Sequence, residues 1–159
     1  MAEGDNLEGY ILKIDQEKAF DRVSHSYVMS VLRKFGFGDN FIQWIKIFYS
    51  DIKSSVKCNG HLTKTFLIKN SVRQACPISA MLYVLAAEPL WLAIKANPYI
   101  KGIPLPLSSN TSKVFQHADD TTLALSDTES IDQSFNVLDL YCKGSGEQGK
   151  KRHFMYWIW

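Results

Sequence analysis

Apolar and polar positions change period several times along the chain, and each change marks an element. Residues 9–15, GYILKID, are rich in β-formers and end in a carboxylate. Ser24 or Ser26 can cap a helix on which Tyr27, Val28, Val31, Leu32 and Phe35 recur at helical spacing until Gly36 stops it. A second helix opens near Asp39 and is expected to bury Phe41, Ile42, Ile45, Phe48 and Tyr49. Residues 52–58 alternate, with Ile52, Val56 and Cys58 on one face, and Asn59-Gly60 then signals a two-residue hairpin with a return strand over 62–68. After a break at 70–77, the pattern predicts a long apolar helix over 79–96, kinked or divided by Pro89. Residues 97–110 are rich in Pro, Gly and Ser, with room for one short strand. VFQHADDTTLAL, residues 114–125, reads as two strands joined at Ala118-Asp119. Ser126-Asp127-Thr128-Glu129 has the form of a capping box and opens a helix with Ile131, Phe135, Leu138 and Tyr141 on one side. The order strand, helices, hairpin, helix, hairpin, helix predicts an α+β fold with a mainly antiparallel sheet.

After Cys142 the pattern stops. KGSGEQGKKRHFMYWIW is a polar, Gly-rich linker followed by six apolar residues whose period fits nothing upstream, so it reads as an unstructured tail. The length of 159 residues fits one domain or part of a larger one, and 46% hydrophobic content suffices for a packed core. A formal charge of only +2 gives no global field toward nucleic acid or membrane, so a nucleic-acid partner needs local patches or a further segment. Cys58, Cys76 and Cys142 form no CxxC pair, which argues against a zinc site or a disulfide framework and makes a reducing compartment the default. The polar start MAEGDN has no secretory leader pattern. The apolar run at 77–96 contains Glu88, Pro89 and Lys95, so it is expected to be a buried helix rather than a membrane span.

Chemistry enters with Asp119-Asp120. Two carboxylates about 4 Å apart repel by about 4 kcal/mol at an effective dielectric near 20. A divalent cation with open coordination positions, Mg²⁺ above all, turns that cost into a gain. Alone, the pair reads more readily as a solvated turn. Asp15 ends an apolar strand, where it either reaches a cleft or caps the following helix, as Asp21 also can. With the Asp pair it offers the third carboxylate that two-metal phosphoryl or nucleotidyl transfer needs. Ser71-Val72-Arg73-Gln74-Ala75-Cys76-Pro77-Ile78-Ser79 is a polar break before the most apolar helix. Arg73 suits phosphates and Gln74 a base or sugar. An ordinary helix entry, with Pro77 in the first turn, explains the same residues.

Together and in this order, KIDQEKAFDRVSH, SVRQACPISAMLYVLAAEPL and FQHADDTTL resemble the palm of a reverse transcriptase of the non-LTR retrotransposon (long interspersed element) type. FGFGDNFIQWIKIFYSDIKSSVKCNG and IKGIPL match its usual spacers, and the resemblance runs from about residue 9 to 144. It implies a palm-like antiparallel sheet whose catalytic β-hairpin packs on helices, with fingers and thumb largely missing. It implies RNA-templated transfer of dNTPs onto a primer 3′-hydroxyl. Asp15, Asp119 and Asp120 match the catalytic aspartates, which in that family hold two Mg²⁺ ions, with Mn²⁺ as a substitute. Phe20 matches the bulky residue beneath the incoming sugar, and Arg73 and Gln74 match the nucleotide pocket. Pro77 and Ser79 start the helix that faces the template, and His117 stands near the primer terminus. Implied partners are an RNA template, a DNA primer, dNTPs and the remainder of a retrotransposon polyprotein, with no membrane. An intracellular setting, nuclear and cytoplasmic, follows for the parent protein.

The chain departs from that pattern at three places. Ala75 and Ser71 stand where the family carries glycine, a cost wherever the backbone needs φ > 0. His117 replaces the usual aromatic before Ala-Asp-Asp. The expected organisation is an N-terminal remnant at 1–8, a partial palm at 9–143 and an aberrant tail at 144–159. The alternatives are an inactive remnant of a decayed element, and an unrelated metal phosphatase or metal-free binding module.

Overall fold

The computed structural model describes residues 9–16, 19–68, 70–71, 76–105, 111–117, 120–145 and 154–158; at 15, 16, 19, 20, 117 and 154–158 it describes the backbone alone. Two compact units divide the chain. One holds Met1–Glu17, Glu88–Lys143 and Gln148–Trp159, the other Lys18–Ala87 and Gly144–Glu147.

The first unit is built on a four-stranded antiparallel sheet. Its strands are β1 (Tyr10–Gln16), β8 (Val114–His117), β9 (Asp120–Leu125) and β10 (Phe154–Ile158), in the order β10-β1-β9-β8. Period-two alternation fixes the register. Leu12 and Ile14 of β1 lie opposite Leu123 and Thr121 of β9, and all four are buried, as is Leu125. Each buried Leu or Ile contributes about 1.5–3 kcal/mol, and a slip of one residue would turn the whole set outward. Ile11, Lys13, Thr122 and Ala124 occupy the opposite, less buried face.

Beside β9, Gly102 bridges to Leu125 and the N–H of Ser126 donates to the carbonyl of Lys101 at 3.1 Å. The short strands β6 (Ile103–Pro104) and β7 (Thr111–Ser112) pair next to this crossing. A Cβ on Gly102 would collide with the Ser112 carbonyl and the Lys113 side chain, so the spacer needs glycine there.

Helix α5 (Thr128–Gly144) buries Ile131, Leu138 and Tyr141, while Phe135, expected on the same side, is half-buried. Its cap is displaced from the expected Ser126/Glu129 box. Asp127 accepts from the Ser130 N–H at 2.8 Å and the Ser130 hydroxyl at 2.6 Å. The Ser130 hydroxyl, then its N–H, and finally Lys101 Nζ at 3.2 Å hold the Asp127 carboxyl at about 2, below its ordinary 3.8. The displacement reflects reach: Ser130 is three residues after Asp127, where an N-cap carboxylate meets an unpaired amide.

The expected unstructured tail also needs correction. Residues 154–158 form β10 and pair with β1 from Leu12↔Ile158 to Gln16↔Phe154. The outer edge of β1 offers unpaired N–H and C=O groups to a β-prone apolar segment, and that pairing requires no period in common with the core.

The second unit begins with α1 (Ala19–Arg22), α2 (His25–Lys34) and α3 (Asp39–Tyr49). Ser24 caps α2 by accepting from the Tyr27 N–H at 3.2 Å, and Gly36 follows the helix at φ +79°. In α3 the core stripe is Ile42, Ile45 and Tyr49. Phe41 and Phe48, expected in the core, are 38% and 59% exposed, with Trp44 at 64%. They stand about 100° around the helix from Ile42 and Tyr49 respectively, off a stripe narrower than the composition suggests.

The predicted Asn59-Gly60 hairpin is present. Its arms carry β2 (Lys53–Ser54), β3 (Lys57–Cys58), β4 (His61–Leu62) and β5 (Phe66–Leu67). Asn59 and Gly60 take φ +47° and +82°, as a type I′ turn demands. Helix α4 (Pro77–Ala96) starts two residues before the expected Ser79 and runs undivided through Pro89, contrary to a division there. By length and composition it could cross a membrane, yet Leu82, Tyr83, Ala86, Leu90, Trp91 and Ile94 are buried in the manner of a core helix.

Candidate active site

A single row of backbone positions crosses the four-stranded sheet where the sequence places its carboxylates. His117 pairs with Asp120, closing the β8–β9 hairpin over a two-residue connection. Ile14 pairs with Thr121, so the same register carried one residue further sets position 15 across from Asp120. Asp15 in turn pairs with Met155 of β10. The row therefore reads Met155, Asp15, Asp120, His117, with neighbouring strands about 4.8 Å apart. Asp15 is brought to the hairpin by chain pairing across more than a hundred residues, which no local pattern could reveal.

Asp120 is exposed, and its carboxylate makes no hydrogen bond or ion pair with the described residues. Asp119 lies outside the described residues, and only the backbone of Asp15 and His117 is described. Among the described residues no group of three His, Cys, Asp or Glu side chains gathers for a metal. The chemistry of the three aspartates fits a hard cation: Asp15 and Asp120 on neighbouring strands and Asp119 next to Asp120 in the chain are carboxylate donors, with the imidazole of His117, paired with Asp120, as the softer donor in the row.

The second group of sequence candidates lies in the other unit. Phe20 is in α1, described by its backbone. Arg73 and Gln74 lie outside the described residues, but both flanks of their segment are pinned. Upstream, Ser71 adopts φ +111°, a conformation that favours glycine. Its N–H donates to the Val23 carbonyl at 3.0 Å, and its hydroxyl reaches Asp21 Oδ1 at 3.5 Å. Its carbonyl receives His25 Nε2 at 3.0 Å; a carbonyl only accepts, so that nitrogen carries the proton. The His25 ring rests on Tyr49, centroids 4.9 Å apart. The Tyr49 hydroxyl meets the hydroxyl of buried Ser79 at 3.3 Å in the first turn of α4. Asp21 and His25 thus hold Ser71, and Tyr49 holds Ser79, on the two described flanks of this segment. In the sequence Asp21 reads as a helix cap and Tyr49 as a core residue. No spacing signal announces these contacts, because their members are 30–50 residues from their partners.

Pro77 is exposed at the first position of α4, as a residue with no N–H to leave unpaired. Ser79 is 2% exposed and turned to Tyr49, so it fixes the helix entry rather than presenting a hydroxyl to a ligand.

The family model for reverse transcriptase (RNA-dependent DNA polymerase) matches residues 3–151. The chain belongs to the reverse transcriptase family. A transposon TX1 uncharacterised 149 kDa protein from Xenopus laevis is 33% identical over 134 residues, covering 84% of this chain and 10% of that protein. A retrovirus-related Pol polyprotein from type-1 retrotransposable element R2 of Popillia japonica is 30% identical over 80 residues, half of this chain and 13% of its own. The chain thus spans about a tenth of the length of these curated relatives. Among solved structures, telomerase from Candida albicans in complex with a fragment of telomeric RNA superimposes with a TM-score of 0.63 over 94% of this chain and 27% of that one, at 17% identity. Apo telomerase from Candida tropicalis gives 0.56 over 95% of this chain. The reverse transcriptase fold is therefore the palm-like one: mixed helix and antiparallel sheet, with the β8–β9 hairpin forming one side of the four-stranded sheet.

Proposed function

We propose that this chain carries the nucleotidyl-transfer centre of a retrotransposon reverse transcriptase, adding dNTPs to a DNA primer 3′-hydroxyl on an RNA template. The observation that carries the reading is the register that pairs Ile14 with Thr121 and His117 with Asp120, which brings position 15 of β1 to the mouth of the β8–β9 hairpin. Asp15, Asp119 and Asp120 would hold two Mg²⁺ ions, which when bound activate the primer hydroxyl and stabilise the charge of the departing pyrophosphate. Asp120, exposed and without a protein partner among the described residues, keeps its oxygens available for that role. Arg73 and Gln74 would meet the incoming triphosphate and sugar, and Phe20 would disfavour a ribose 2′-hydroxyl, as their places in the motifs imply. Positioning supplies most of the rate in such transfers, so the 159 residues by themselves are expected to be slow.

Primer extension on an RNA template with dNTPs and Mg²⁺ tests the reading. Incorporation should fall roughly a hundredfold or more in Asp120→Asn, the scale on which removing one transition-state charge stabiliser acts. Extension that survives this change would remove the assignment. The strained Ser71, at a family glycine position, favours a second reading, a non-catalytic remnant. Absence of both extension and Mn²⁺ binding would select it.

A further inference from the structure

The net charge of +2 is too small to hold a polyanion, so any grip on nucleic acid must be concentrated somewhere. One concentration is the Asn59-Gly60 hairpin; another, Lys150-Lys151-Arg152, lies outside the described residues. Residues 52–68 contain Lys53, Lys57 and Lys64 and no acid, leaving the remainder of the chain at −1. None of the three lysines makes an ion pair with a described residue.

The pairing places these charges together. Ile52 accepts from the Ile68 N–H at 2.8 Å, Lys53 pairs with Leu67 and Ser54 with Phe66. Nearer the turn, Val56 accepts from the Thr63 N–H at 2.9 Å, Lys57 pairs with Leu62 and Cys58 with His61. Between Ser54 and Val56 the first arm advances by two residues, while the second, from Phe66 to Thr63, advances by three. Lys64 and Thr65 therefore share one bulge across from Ser55. Lys53 and Lys57 occupy one face of their arm, about 13 Å apart, with Lys64 between them on the facing arm.

Residues 55–67 are exposed throughout, including Val56, Leu62, Phe66 and Leu67 at 49–68%. A two-stranded hairpin with no covering layer is marginal in water, so this arm stands to gain from a ligand laid along it.

We propose that the bent hairpin of residues 52–68 is a nucleic-acid-binding arm, with Lys53, Lys57 and Lys64 contacting consecutive phosphates of the strand and exposed Leu62 and Leu67 covering its sugars. The choice of nucleic acid over another polyanion rests on the reverse-transcriptase reading. Lysines on an exposed hairpin also discourage edge-to-edge pairing, a role that predicts no change in nucleic-acid binding when they are removed.

The test is fluorescence anisotropy of labelled single-stranded RNA, single-stranded DNA of the same sequence and the RNA–DNA duplex, titrated with the 159-residue chain from 50 to 200 mM KCl. The comparison is with the triple variant Lys53→Gln, Lys57→Gln, Lys64→Gln. A control triple, Lys34→Gln, Lys46→Gln, Lys95→Gln, removes equal charge from exposed helical positions. Three phosphate contacts contribute a salt slope of about −2 on a single strand, so across this range the hairpin variant should lose roughly twentyfold less affinity than the wild-type chain. The control triple should keep the wild-type slope. Equal slopes in all three proteins, equal loss in both triples, no binding by the wild type, or tighter binding to phosphatidylserine vesicles than to any nucleic acid would each overturn the proposal. Circular dichroism melting confirms that both triples fold. Anisotropy needs no catalysis, so intact binding without either primer extension or Mn²⁺ binding would sink only the polymerase reading.

Discussion

At the scale of single residues, Ser71 carries the most information per atom. Its φ of +111° is a glycine conformation held by a residue with a Cβ, and contacts to Val23, His25 and Asp21 surround it. Such a conformation costs about 1–3 kcal/mol, while glycine restores about 0.4–1 kcal/mol of unfolded-chain entropy to be lost on folding. The hydroxyl contact to Asp21, at 3.5 Å, is too long to contribute much. Ser71→Gly should therefore raise stability by about 1 kcal/mol, read as a higher urea midpoint at unchanged slope; a lower midpoint would show that the hydroxyl, not the backbone, matters at this position. Asp127 makes a pH-dependent prediction. Its folded-state pKa, about 2, lies below the ordinary 3.8, so its contribution is fully present above pH 4 and is lost as pH falls from about 4 toward 2. Asp127→Asn should flatten the fall of the melting temperature across that window, with melts from pH 2 to 5 as the measurement. An unchanged profile would mean that other carboxylates set the acid limit.

At the scale of elements, what the sequence revealed depended on how local the determining force was. The strand 10–16, the helices over 25–34 and 39–49, the Asn59-Gly60 turn and the Asp119-Asp120 hairpin were legible because period, caps and turn residues act within a few positions. The cap of α5 was off by one, since Ser126 and Asp127 are both good caps and Ser130 decides between them. The exposure of Phe41 and Phe48 was not legible, because which face of α3 meets its unit is a tertiary choice. Gly102 belongs with the second kind. Its place in the spacer was visible, but the reason is the Ser112 carbonyl that approaches it from β7. Gly102→Ala should cost about 1–3 kcal/mol, the usual range for overpacking. Chemical denaturation checks this, and a loss below 0.5 kcal/mol, the scale of an uninvolved surface site, would mean that the β6–β7 crossing shifts freely.

At the scale of the molecule, the site is a consequence of sheet order. Sequence named Asp15 and Asp120 separately and could not place them in one row, because strand pairing between residues so distant is written in no local pattern. Nor did it foresee that β1 has partners on both sides. With β10 in place, β1 is an inner strand, and the backbone of Asp15 is held by Met155 on one side and borders Asp120 on the other. Removing residues 146–159 would turn β1 into an edge, with its outward amides open to water or to another chain. Hydrogen exchange should then quicken at residues 12–16, while Leu123 and Leu125, in β9 and in the buried core of the same sheet, keep their protection. Light scattering should report self-association at concentrations where the full chain stays dispersed. If the carboxylates act together, the same deletion should weaken Mn²⁺ binding without touching Asp120 or its hairpin, because looseness at position 15 spoils a shared site from one side. Unchanged exchange at residues 12–16 would mean that β10 contributes nothing to the order of β1, and any loss of metal binding would then need another cause.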